Sequence, residues 1–183
     1  GVAVQDVVAA AASQGDAVLV LTAPPTPLAE AGEIDDATLR AMWAAVARLH
    51  RAGLVHSRLT LERIGLDPRG AILISDFADG RIAATPAERG REVATLLTAQ
   101  AVRVGAERAA DAALASLGGD GVAGSLPYLQ RAALPRSLRG EPGVLSGLGS
   151  SFHLLRAASN VSTRCWLKPT AMNALGTPLA DGS

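Results

Sequence analysis

The sequence predicts an α+β, mainly helical domain, and three observations carry that reading. Residues 35–53 show both the apolar period and the end signals of an amphipathic helix. Residues 64–75 hold two short β-branched runs around an Asp-Pro-Arg-Gly turn. From Pro86 onward the chain returns to helical patterning. At 183 residues it is long enough for one domain with a real core and short for two.

Taken in order, residues 1–14 read as the remnant of an upstream segment. They lack the basic start of a secretory signal, carry an early acid in Asp6, and open in mid-pattern as a fragment would. Residues 18–21 (VLVL) form a continuous β-branched run, the pattern of a buried strand. Pro24, Pro25 and Pro27 then forbid further strand or helix and make a stiff connector. Asp35 or Asp36 can N-cap a helix that runs through Arg51. Leu39, Met42 or Trp43, Val46 and Leu49 recur along its inner face, and Gly53 stands where a C-terminal glycine belongs. Residues 64–66 and 71–75 follow as strands, with Pro68 presetting the turn between them and Gly70 relieving its strain. Helices are expected at 86–102, at 106–117 and near 122–134, with Gly118-Gly119 breaking the second from the third. From about Glu141 the chain turns Gly/Ser-rich and loses its period. The domain is therefore bounded at 15–140, and 141–183 reads as a weakly ordered tail.

Composition narrows the function. Zero formal net charge leaves no electrostatic footprint for nucleic acid or an anionic membrane. Five aromatic residues are too few for a base-stacking surface. All but one of the basic residues are arginine, and residues 1–167 contain no lysine. The single cysteine, Cys165, excludes a disulfide framework and a thiolate metal site. Histidines 50, 56 and 153 lack metal-ligand spacing. There is no G-x-S-x-G elbow, and the glycines at 118–121 sit between helices rather than after a strand, unlike a phosphate loop. No apolar run is long enough to cross a bilayer.

One constellation remains. His56-Ser57-Arg58-Leu59-Thr60-Leu61-Glu62-Arg63 is followed by the strand pair and by Asp76-Phe77-Ala78. The order helix, His-x-x, hairpin, Asp-Phe-x, helices resembles the C-terminal lobe of the protein kinase-like superfamily, including its aminoglycoside phosphotransferase and lipopolysaccharide-kinase branches. The likeness spans residues 15–135, with the N-terminal lobe largely missing. In that family the loop reads H-R-D-L-x-x-x-N and the later motif D-F-G.

The resemblance implies a role for each matched position. The base position falls on Arg58, whose guanidinium stays protonated. The metal-holding amide position falls on Arg63, a cation where a cation would bind. Asp76 alone matches its part, as a metal ligand, with Phe77 beside it in the cofactor-binding D-F-G-like position. His56 reads as a structural histidine bracing the loop, and Asp76 reads equally as a cap or turn residue before Phe77. Arg58 and Arg63 can pair with Asp76, Asp79 or Glu62, or hold a phosphate-bearing ligand directly. ATP and magnesium belong to this picture only if activity is retained.

The likeness in detail is to degenerate kinase-like regions of actinobacterial membrane proteins, ahead of a segment like that of lysylphosphatidylglycerol synthase or flippase-like proteins. L-H-x-x-G-x-x-H at 49–56 and VRVGAERA at 102–109 carry it. It implies a pseudokinase module that binds or regulates, cytoplasmic and at the inner face of the plasma membrane. Its partner would be a membrane-embedded segment of the full-length protein, or another protein, with no span in this chain and no nucleic acid. Two other readings stand beside it. One is an active ATP-dependent phosphotransferase whose N-terminal lobe is not in this chain; the other is a helical protein with chance matches.

Overall fold

A computed structural model of the chain describes residues 2–14 and 16–129, an α+β arrangement of three long helices and two small antiparallel sheets. Helix α1 spans Asp36–Arg51, and its N-cap is Asp35, whose side chain accepts the Thr38 N–H at 2.7 Å. Both Met42 and Trp43 belong to its buried stripe, with Leu39, Val46 and Leu49. Helix α2 spans Pro86–Val104 and opens with a capping box between Thr85 and Glu88, Pro86 occupying the first turn. Gly105, at φ 91°, turns the chain straight into α3, Ala106–Ala123. The expected break at the glycine pair is a kink inside α3, where Gly118 takes φ 72° and ψ 173°. The expected third helix becomes the end of α3 and a 3-10 turn at Leu126–Tyr128. Residues 130–134 and the tail at 141–183 lie outside the described residues.

That kink lets the end of α3 fold back onto α2. A Cβ at Gly90 would stand 2.4 Å from the Gly124 carbonyl oxygen and 2.8 Å from the Tyr128 ring, so only glycine allows the approach. Arg91 then lies 5.2 Å above the centroid of the same ring.

The larger sheet has the order β3-β4-β5, with β3 at Thr26–Pro27, β4 at Ile64–Leu66 and β5 at Ile72–Ile74. A strand at Pro27 departs from the stiff connector expected there. Proline is tolerated because β3 pairs only with β4 and needs no donor on its outer side. The partner position must be glycine, since a Cβ on Gly65 would meet the Thr26 carbonyl oxygen at 2.3 Å. Between β4 and β5 the Asp67 carboxylate accepts the N–H groups of Arg69 and Ala71, each at 2.8 Å.

The second sheet is a hairpin of β1, Val7–Ser13, and β2, Asp16–Leu21. Residues 18–21 do form a strand, but the expectation of burial is overturned: Val18 is 60% and Leu19 62% exposed. A hairpin has only two strands, and nothing among the described residues covers its outer surface.

The core lies between the three helices and the β3-β4-β5 sheet, around Trp43, Leu39, Leu59, Ile64, Ile74 and Leu97. Two buried polar pairs fix the register of α1 against α2. The Trp43 indole donates to Gln100 Oε1 at 2.8 Å, and His50 Nε2 meets Glu92 Oε1 at 2.9 Å. The 102–109 run works as a latch on the segment before α1. Arg103 donates to the carbonyls of Ala31 and Gly32, and Arg108 to the Ile34 carbonyl and the Asp36 carboxylate. Among the described residues, no helix is long and apolar enough to cross a membrane.

Candidate functional site

The loop at 56–63 leaves the end of α1 and returns along β4, and the Asp76-Phe77 step leaves β5 beside it. This places all five expected site residues at one end of the β3-β4-β5 sheet. His56 is fully buried, and its Nε2 lies 2.8 Å from the Ser75 carbonyl oxygen. A carbonyl only accepts, so Nε2 carries the proton, and the buried Nδ1 has no partner. The ring also tilts against Phe77, with centroids 4.8 Å apart. His56 thus ties the loop to the segment that carries Asp76.

Two non-glycine residues here hold left-handed backbone, Ser57 at φ 69° and Asp76 at φ 59°. Such conformations cost about 1–3 kcal/mol each and persist only where surrounding contacts impose them. At Ser57 the contact is plain. Its N–H donates to Glu92 Oε2 at 2.7 Å, while the other oxygen of the same carboxylate meets His50. The Glu92 side chain is 1% exposed, so one buried carboxylate clamps loop, α1 and α2 together. Sequence reasoning missed Glu92 and His50. The signal was an acid on the inward face of α2, beside Val93 and one turn before Leu96, where a solvated glutamate has no reason to be.

The arginines turn toward the acids. Arg63 forms an ion pair with Asp76, and Arg58 Nη1 lies 3.2 Å from Asp79 Oδ2. The second pair is more than half exposed on both sides, so it is worth little on its own. Arg63 is better placed. Its side chain is 25% exposed, and its carbonyl accepts the Ser75 N–H at 2.9 Å, which fixes the end of the loop to β5's exit. Glu62 takes part in neither pair.

A cleft of about 630 Å3 opens between loop and step, lined by Arg58, Thr60, Glu62, Arg63, Asp76 and Thr95 among others. A magnesium ion does not fit these residues. The Asp76 carboxylate is engaged by the Arg63 guanidinium, and Arg58 brings a second positive charge to the cleft. Among the described residues, no three His, Cys, Asp or Glu side chains converge as a metal-binding group. The cleft also presents the hydroxyl groups of Thr60 and Thr95 beside these charges. No protein-family model matches the chain, and no curated protein matches it either.

Proposed function

We propose that the chain is a kinase-like C-terminal lobe without phosphotransfer, acting as a binding or regulatory module. The observation that carries this reading is the Arg63–Asp76 ion pair, which neutralises the one carboxylate suited to a metal. Phosphoryl transfer depends on metal charge across the phosphates and on a carboxylate that orients the attacking hydroxyl. Arg58 can supply neither. The reading is supported further by the order of loop, hairpin and Asp-Phe step, and by His56 bridging the first to the last. In it the module sits in the cytoplasm at the inner face of the plasma membrane. It serves a membrane-embedded segment of a longer protein or another protein.

The test is a thermal-shift titration with ATP, with and without magnesium or manganese. A ligand that binds only the folded state must stabilise it, by about 2.7 kcal/mol at a hundredfold excess over Kd. The expected result is no metal-dependent rise in Tm. A saturable, metal-dependent rise refutes the reading. The same titration on Arg63→Ala, which frees Asp76, shows whether the ion pair is what excludes the metal.

A further inference from the structure

A second depression, about 870 Å3 in volume, opens between the last turns of α1, strand β2, and the exit of β5. It shares Ser75 and Asp76 with the cleft but differs in character. Leu19 and Leu21 of β2, Ile74 of β5 and Phe77 line an apolar groove. Its only acid is Asp76, already engaged by Arg63. Arg48 and Arg51, one turn apart on α1, supply its cations. Both are exposed, and among the described residues neither takes part in an ion pair. The helix dipole accounts for basic residues in the last turn of α1. Helical spacing sets Arg48 and Arg51 on one face, at the edge of the groove, while His50 turns inward to Glu92.

We infer that this groove receives an amphipathic helix of a partner protein, its apolar face against Leu21, Ile74 and Phe77 and its carboxylates against Arg48 and Arg51. The argument is charge complementarity over an apolar floor walled by side chains, the arrangement of helix-in-groove recognition. Residues 130–183 are the wrong sign for the role, since they hold six basic and two acidic residues. The inference rests on the binding-module reading and names its partner's chemistry. The two fail separately, because the nucleotide titration reports on the cleft and the assay below reports on the groove.

The probe is a fluorescein-labelled amphipathic peptide of about 18 residues, long enough to form helix, with leucines on one face and glutamates at its flanks. A second peptide carries lysines in place of the glutamates. Anisotropy with the full chain is expected to show saturable binding of the glutamate peptide, weakening as salt screens the charges. The lysine peptide binds at least about tenfold more weakly. Arg48→Glu/Arg51→Glu, with both positions on the surface and Tm unchanged, reverses the preference between the peptides. No binding, or binding indifferent to that reversal, overturns the proposal. So does saturable binding of palmitate or of phosphatidylglycerol vesicles with none of the peptide, which makes the occupant a lipid. A concentration-dependent dimer that the reversal dissociates overturns it equally, by making the occupant a second copy.

Discussion

Replacing Glu92 by alanine removes both acceptors of the one carboxylate that joins α1, α2 and the 56–63 loop. The side chain is 1% exposed, so water does not take its place. Three costs follow. The part-buried Ser57 N–H loses a hydrogen bond to a carboxylate oxygen, at about 1.5–3 kcal/mol. His50, 10% exposed at its side chain, loses its carboxylate. Ser57 is then left in left-handed backbone with nothing to impose it. Losing both hydrogen bonds to this side chain costs about 3–5 kcal/mol in all. Each kcal/mol moves Tm by about 4 °C in a domain of this size, so the expected drop is about 12–20 °C. Glu92→Gln keeps an oxygen for Ser57 and should lose less than half as much. The assay is urea unfolding with a double-mutant cycle against His50→Ala, and a coupling of about 1–3 kcal/mol is expected. A Glu92→Ala variant within about 1 kcal/mol of the parent, or strict additivity with His50→Ala, would refute the clamp.

Three further outcomes are expected. Gly90→Ala should destabilise by about 1–3 kcal/mol in urea despite better helix propensity, because its Cβ meets the Gly124 carbonyl and the Tyr128 ring. Hydrogen bonds from Thr38 hold the Asp35 carboxyl below its usual range, and hydrogen bonds from Thr85 do the same for Glu88. Folded-state values lowered in this way add stability that is present above the unfolded values and lost as pH falls through the folded ones. Tm should therefore fall below about pH 4, and Asp35→Asn, which keeps an N-cap, should flatten that limb in a pH series. Val18→Thr with Val20→Thr, both on the exposed hairpin, should reduce light scattering on concentration while Tm holds, since neither side chain is in the core.

How much of this was legible in the sequence depended on the range of the interaction. Helix α1 was readable because its period, its Asp35 cap and its closing glycine are all local. The turn at Asp67 was readable for the same reason. The strand pair between the loop and Asp76 was readable from its two β-branched runs and the turn between them. What the arginines touch was left open between three acids, and only tertiary placement pairs Arg63 with Asp76 and Arg58 with Asp79. The exposure of residues 18–21 was misjudged because an apolar run states a preference for burial and cannot say whether a second layer exists. Pro27 misled in the opposite direction. Proline forbids a central strand, and nothing local marks a position as the edge of a sheet. Glu92 was hidden because its partners lie 42 and 35 residues away along the chain.

The crossed charges of the cleft also shape the mutational paths open to it. Turning Arg58 into an acid sets a carboxylate beside Asp79, like against like, while Asp76 stays occupied by Arg63. Turning Arg63 into an amide releases Asp76 but leaves Arg58 as the cation in the same cleft. On the proposed kinase-like reading, neither step alone restores both the acid and the amide positions of the loop. On that reading, the Arg63–Asp76 pair makes the substituted site hard to recover one substitution at a time.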